Sequence, residues 1–395
     1  MIERRFLVAA FGDAGHAFPA IALARALRAR GHEVLVETWE RWRDAVEAEG
    51  LGFTAAEEYK TFPPPEPTSE VWRTAADAAL ALAPLMDDFR PDVVVSDILT
   101  LAPTLAAERA GLRRATLIPH VYPVHEPGRP FFAFGLQPPR TPIGRAVWRG
   151  ALPLLESGLR RGRREMNETR AAVGLPPVDE FHGGISRELA LVATFPQLEY
   201  PRRLPAGVHV TGPMQFEIPY PDIELPSGEE PLVLVAPSTA QDPDLRLVRV
   251  ALDALGDESV RVVATTNRLG DAKLPAAPAN AVVVDWLSYS QVMPQASLVI
   301  CHGGHGTVAR AMATGVPVLC CPHVGDMTEN SARVAWAGAG LMLPWRLLRT
   351  EPLRVASRRI LRDPAFYERA QKLSAWARAH DGAERGAALV QRRAA

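Results

Sequence analysis

Ala296–Pro322 reads ASLVICHGGHGTVARAMATGVPVLCCP. An apolar run stops at His302, and three glycines and a second histidine follow at once. A helical pattern then runs to Gly315, and Pro317 opens another apolar run. Strand, tight turn, helix and strand in that order form a βαβ unit, so the sheet is parallel. Gly303, Gly304 and Gly306 let the backbone approach a ligand closely and take positive φ. The N–H groups and dipole at a helix start favour an anion, commonly phosphate. Thr307 adds a hydroxyl donor, and His302 an imidazole that can donate to a phosphate oxygen. The turn is neither a Walker A loop nor a GxGxxG dinucleotide fingerprint. A plain glycine turn with buried histidines is the alternative. Two histidines and a threonine at one strand–helix junction weigh against it.

The same grammar runs through the rest of the chain. RFLVAAF, GDAGHAFP and AIALARALRARG read as strand, turn and helix, with Pro19 near the helix start and Gly31 at its end. HEVLVET, PDVVVSD and RRATLIP are further strands, with AADAALALAPLMDDF and LAPTLAAERAG as helices between them. From His120 to about Glu180 the pattern loosens among prolines and aromatics. MQFEIPYPDIELPSGEEP, Met214–Pro231, is rich in proline and acid and has little periodicity, which suits a linker. The alternation restarts with PLVLVAP and continues through VRVVATT, AVVVDW and SLVIC. Two such runs predict an α/β protein of two doubly wound, Rossmann-like domains, residues 1–213 and 232–377, joined by 214–231. Ligands of such sheets bind beyond the carboxyl ends of the strands, so the expected site is the cleft between the domains.

Length and composition agree. At 395 residues the chain exceeds one ordinary core. It is 47% hydrophobic and 23% charged, with a net charge of −1. No global field draws nucleic acid or an anionic membrane. The basic cluster LRRGRRE, Leu159–Glu165, reads as a solvated helix face. Cys301, Cys320 and Cys321 lie in apolar strand-like runs and read as small buried hydrophobes in a reducing compartment. Their spacing with the histidines suggests no zinc site. No segment approaches the ~20 apolar residues of a membrane span. A cytoplasmic monomer or homodimer is expected.

DWLSYSQVMPQASLVICHGGHGTVARAMATGVPVLCCPHVGDMTENSARVAWAGAG, Asp285–Gly340, resembles the donor-binding signature of the UDP-glycosyltransferase-like superfamily with the GT-B fold, glycosyltransferase family one. The likeness is closest to the bacterial branch that glycosylates antibiotics and other lipophilic small molecules. FGDAGHAFPAIALARALRARGHEV resembles that family's opening helix, and DGAERGAALV its closing helix, expected at about 378–395 and packed back on the first domain. The resemblance implies roles residue by residue. Trp286 would stack on the donor base. His302, Gly304, Gly306 and Thr307 would hold the pyrophosphate, with Gly303 and His305 in the same turn. Ser238 and Thr239 would add phosphate contacts. Asp326 would reach sugar hydroxyls, with Met327 beside it; helix capping is a second role open to Asp326.

His16 lies in GDAGHAFP, after the first strand and facing the expected cleft. Imidazole titrates near neutrality and can take a proton from an attacking hydroxyl. Such a base needs a partner on its other nitrogen. Asp97, at the end of PDVVVSD, shares that sheet edge, and the resemblance implies the same pair. The resulting expectation is an inverting glycosyltransferase that needs no metal or other cofactor. Its partners would be a nucleoside diphosphate sugar and an apolar acceptor. A membrane-face lipid or cell-wall glycosyltransferase, a nucleotide-sugar epimerase and a non-catalytic sugar-nucleotide binder are the alternatives. The first of these would want a basic and apolar patch on the first domain, and none is evident in the sequence. Phe53–Trp72 and His120–Trp148, with Phe62, Trp72, Tyr122, Phe131, Phe132, Phe134 and Trp148, suit a flat acceptor pocket or an ordinary core.

Three departures from the family pattern bear on the donor. Many relatives carry a ribose-binding glutamate where this chain has Arg310, which cannot accept hydroxyl protons. Asp-Gln is replaced by Asp326-Met327, and Pro-Gln by Ser288-Tyr289. Together they favour a dTDP-deoxysugar over UDP-glucose.

Overall fold

A computed structural model describes residues 2–56, 69–180, 183–238, 241–268 and 274–394. The first half contains β1 (Arg5–Ala9), α1 (Ala14–Ala29), β2 (Glu33–Thr38), α2 (Arg43–Ala48), β3 (Gly52–Ala55), α3 (Ser69–Ala81) and α4 (Ala83–Phe89). It continues with β4 (Val93–Asp97), α5 (Leu101–Arg109), β5 (Arg113–Ile118), α6 (Pro142–Gly150), α7 (Leu152–Ala172), β6 (Ala190–Val192) and β7 (Val208–Val210). The second half begins with β8 (Leu232–Ala236), α8 (Arg246–Leu255), β9 (Arg261–Thr265), β10 (Ala281–Val284), α9 (Tyr289–Val292) and β11 (Ala296–Cys301). Then come α10 (His305–Thr314), β12 (Val318–Cys320), α11 (Asp326–Ala337), β13 (Gly340–Met342), α12 (Thr350–Arg362), α13 (Pro364–Ala379) and α14 (Gly382–Ala394).

Two parallel sheets result, ordered β3-β2-β1-β4-β5-β6-β7 and β10-β9-β8-β11-β12-β13. Central strands such as VVVSD and LVLVA are buried along their whole length, because helices cover both faces of a parallel sheet. In each sheet the strand order reverses at one place, between β1 and β4 and between β8 and β11. Crevices for ligands open at such points. His16 follows β1 and Asp97 ends β4. Ser238 follows β8 and His302 follows β11.

The segment 214–231 has no regular secondary structure, but it is firmly seated. Met214 and Phe216 are buried with Ala387 and Val390 of α14 in the first core, whereas Ile223 and Leu225 pack against the second. The chain therefore crosses between domains near residues 218–223. It crosses back after α13. α14 lies on α1, where Arg30 donates to Glu384 and Gln391.

Two sequence expectations are corrected. The first helix starts at Ala14, not near Pro19, because the Asp13 carbonyl already accepts from the N–H groups of His16 and Ala17. Pro19 sits inside the helix, where its missing N–H leaves the Gly15 carbonyl without its usual donor. The loose region after His120 contains two helices, α6 and α7. Proline at the first helical turn of each hid their starts.

Candidate active site in the cleft

The β1–α1 turn is fixed from outside. Trp42 Nε1 and Arg41 Nη2 both donate to the Gly12 carbonyl, at 2.7 and 2.5 Å. Gly12 must be glycine, since a Cβ there would lie 2.0 Å from ring carbons of Trp39. Within the first turn of α1, His16 Nδ1 stands 2.6 and 2.7 Å from the two carboxylate oxygens of Asp97. The Asp97 side chain is fully buried, while that of His16 keeps 19% of its surface exposed. Leu99 N–H donates to Asp97 Oδ1 and holds the carboxylate in place. Burial pulls the imidazole pKa down. The charge and hydrogen bond of Asp97, with Asp326 and Asp13 further off, outweigh it and raise the pKa above its usual 6.5. None of the described residues hydrogen-bonds the second ring nitrogen. This is the geometry of an oriented base.

Across the cleft, His302 leaves β11 with Nδ1 3.4 Å from the Ala236 carbonyl of β8. Its Nε2 lies over the start of α10, because a Cβ on Gly304 would be 2.2 Å from that atom. Desolvation holds the His302 pKa below its usual value, against the Ala236 bond and the charges of Asp326 and Asp242. Gly303 has φ +85° and backs onto α11, where a Cβ would meet Ser331 Oγ at 2.5 Å and the Met327 carbonyl at 2.8 Å. Gly306 faces open space. Thr307 is half-buried and hydrogen-bonds the hydroxyl of Tyr289, which donates to Asn267 Oδ1 at 3.0 Å. Ser238 is buried, and its Oγ accepts from Gln241 N–H. Thr239 lies outside the described residues. Trp286 is half-exposed just past β10.

Asp326 opens α11 but does not cap it; the cap residue is Gly325, with φ 70°. Its carboxylate accepts from Asn330 and acts electrostatically on His16, His120 and His302. Met327 is buried. His302 and Asp326 on one side thus meet His16 and Asp97 on the other.

His305 departs from the donor-binding assignment. Its Nε2 is 2.9 Å from Thr194 Oγ1 of the first domain, and the side chain is buried. Desolvation first, and then neighbouring His120, push its pKa down to about 3, so it stays neutral. Its side chain leaves the turn toward the first domain and joins the two halves. Arg310 turns toward the linker. It donates to the Phe216 carbonyl at 2.7 Å and pairs with Glu217 at 3.5 Å, with only 14% of the side chain exposed. Glu217 also accepts the Tyr289 and Ser290 N–H groups, which ties the linker to the segment after Trp286.

Several residues in the cleft carry no motif. His120, two residues beyond β5, donates from Nδ1 to the Val121 carbonyl at 2.7 Å. It lies close enough to His16, Asp97 and Asp326 to feel their charges. Its place just past a strand end was the one available signal. Asn267, with φ 54°, sits just past β9. On the first sheet, Glu37 and Ser96 flank Ala9 in register and share one face. Both bury a side-chain oxygen without a partner. Burial pushes the Glu37 carboxyl up to about 7. Phe11, two residues beyond Ala9, meets the His16 ring edge-on at 5.9 Å. Of the proposed acceptor aromatics, Phe131, Phe134 and Trp148 form one cluster at centroid distances of 5.5–6.2 Å. Phe132 packs on His120, and Tyr122 is core. Phe62 and the side chain of Trp72 lie outside the described residues.

Known proteins resemble this chain in sequence and fold. A model of the erythromycin biosynthesis protein CIII-like C-terminal domain matches residues 249–384, and one of Glycosyltransferase Family 4 matches residues 20–163. The chain is 30% identical over 401 residues to 4'-demethylrebeccamycin synthase of Lentzea aerocolonigenes, covering 93% of this chain and 94% of that protein. It is 28% identical over 431 residues to O-mycaminosyltylonolide 6-deoxyallosyltransferase of Streptomyces fradiae, covering 98% and 97%. Among solved structures it is similar to the glycotransferase of kitacinnamycin, with a TM-score of 0.75 at 22% identity over 99% of both chains. That likeness shows the fold.

Proposed function

The chain belongs to the UDP-glycosyltransferase-like superfamily, in its bacterial antibiotic-glycosyltransferase branch, and is a glycosyltransferase of GT-B fold; from that premise we propose that it transfers a deoxyhexose with inversion from a dTDP-sugar to a hydroxyl of a lipophilic small molecule. The observation that carries this reading is the His16–Asp97 pair facing His302 and the start of α10.

The acceptor oxygen attacks the anomeric carbon from the side opposite the diphosphate. As the new C–O bond forms, the hydroxyl proton passes to the free ring nitrogen of His16. Asp97 steadies the imidazolium. The bond to the diphosphate breaks, and its electron pair leaves with the diphosphate oxygen. The positive end of α10, the turn's N–H groups and His302 take up that charge, so no metal ion is required. Trp286 stacks on the base, and Asp326 holds sugar hydroxyls beside Met327. The acceptor lies in the first domain near Phe11 and His120. Glu37 and Ser96 there suit an acceptor with a second hydrogen-bond donor.

The donor preference rests on Arg310, which is committed to the linker and offers no acceptor for a ribose hydroxyl. The 6-deoxysugar in the name of the Streptomyces fradiae relative supports it. The test is a competition between donors on one acceptor. A higher kcat/KM for UDP-glucose than for every dTDP-deoxysugar would refute the donor assignment and leave the fold and family untouched.

A further inference from the structure

The first domain carries a surface that donor and acceptor binding leave unexplained. No residue of α6 is buried. Ile143 is 78% exposed, Val147 65% and, at the start of α7, Leu154 76%. Ile143 and Val147 are four residues apart and share one helix face. Phe134, 57% exposed, lies at the edge of the same region through its contact with Trp148. Exposed apolar side chains gathered on one stretch of helix, and rimmed by polar residues, mark an interaction site.

Charge says what the partner is. Residues 140–164 hold seven arginines and a single glutamate, an excess of six positive charges in a chain whose net charge is −1. Arg161 pairs with Glu165, and Arg160 approaches Glu156 at 3.9 Å. Arg140, Arg145, Arg149 and Arg164 form ion pairs with none of the described residues. An exposed apolar ridge set among free guanidinium groups matches the boundary of an anionic bilayer. Aliphatic side chains enter the acyl region there, and arginines reach up to the headgroups. A second copy of the chain would bring the same positive charge against itself. Among the described residues no helix is long and apolar enough to cross a membrane, so the contact is peripheral.

We propose that α6 and the start of α7 dock this enzyme on an anionic lipid surface, placing the first domain where a lipophilic acceptor partitions. The apolar ridge supplies insertion and the arginines supply attraction.

Flotation of the full chain with vesicles tests this. Vesicles of equal parts phosphatidylglycerol and phosphatidylcholine should carry the protein up. Vesicles of phosphatidylcholine alone should not, and high salt should release it. Replacing Arg140, Arg145 and Arg149 by Gln should weaken binding by about two orders of magnitude. Ile143→Ser with Val147→Ser and Leu154→Ser should weaken it at least ~10-fold. All six positions are exposed, so folding and donor hydrolysis should be unchanged. Equal flotation on both vesicle types, no flotation on either, or variants that float like wild type would each overturn the proposal. So would a dimer in solution that the serine variant converts to monomer, which assigns the ridge to a second copy.

Discussion

Gly304→Ala separates the phosphate turn's chemistry from its architecture. Gly304 has φ −60° and ψ 136°, a conformation alanine adopts freely, so the backbone does not resist the change. The added Cβ would stand 2.2 Å from His302 Nε2, 2.9 Å from Cε1 and 3.1 Å from Cδ2. Carbon and nitrogen need well over 3 Å, so the ring must swing off the start of α10 by an ångström or more. Its anchor is a long 3.4 Å bond to the Ala236 carbonyl, which yields easily. The fold should survive, while the charged hydrogen bond to the donor diphosphate is lost. Such bonds contribute about 1.5–3 kcal/mol, or roughly 10–100-fold in Kd. Calorimetry with a nucleotide sugar should show that loss in Gly304→Ala and a similar one in His302→Ala. In the double variant the alanine at 304 should add almost nothing, because its victim is already gone. Full additivity, or wild-type affinity in Gly304→Ala, would refute the placing of His302 on the donor. Gly303→Ala is the contrast. There φ is +85° and the new carbon meets Ser331 Oγ and the Met327 carbonyl, so the fold itself should lose several kcal/mol, read as a drop in Tm of roughly 5 °C or more. Gly306→Ala has open space and should leave stability unchanged.

His16→Ala should keep nucleotide-sugar affinity and lower turnover by roughly 10²–10⁴; a loss of only a few-fold would remove His16 as the base. The working form of His16 is neutral and its pKa is raised, so kcat/KM should fall as pH drops through a value above 6.5. Asp97→Asn removes the charge that raises it, and that acid limb should move to lower pH; a limb that stays put would show that another group titrates. Nucleotide-sugar binding should take up a proton at His302, whose pKa is low in the free protein. Calorimetry in buffers of different ionisation enthalpy reads that uptake, and identical enthalpies in all buffers would contradict it. Turnover should survive EDTA, and loss with rescue by Mg²⁺ would contradict a metal-free leaving-group site.

The sheets were legible because parallel strands buried on both faces read as unbroken apolar runs, as in VVVSD and LVLVA. Glycine and proline punctuated the turns between them. His16 and Asp97 were legible together because one opens the helix after β1 and the other ends neighbouring β4, and topology brings such ends to one edge. His305 was not, since a histidine inside a phosphate-type turn looks the same in sequence whether its side chain faces the ligand or Thr194. Arg310 was half legible. Its chemistry excluded a ribose acceptor, but its partners, Phe216 and Glu217, lie 94 and 93 residues away. Glu37, Ser96 and Asn267 stand in ordinary strand contexts, and only the register reveals that the first two share a face. The basic and apolar surface on α6 was invisible because prolines broke the periodicity. LRRGRRE was read alone, apart from Ile143, Val147 and Leu154.

The two passages of the chain between domains run side by side. A Cβ on Gly382, at the return, would lie 2.4 Å from the carbonyl oxygens of Gly212 and Pro213, where the outward passage begins. The covalent connection therefore acts as a single narrow pivot. Across the cleft run side-chain bonds, among them His305 to Thr194, Thr328 to the Ala133 carbonyl and Arg333 to Glu199, and an apolar seam in which Val121, Phe195 and Leu198 of the first domain are buried in the second core. The bonds can be exchanged for water one at a time, but the apolar seam cannot. Any opening of the halves about that fixed corner must therefore strip Val121, Phe195 and Leu198 from the second core, so the apolar seam rather than the hydrogen bonds sets what it costs.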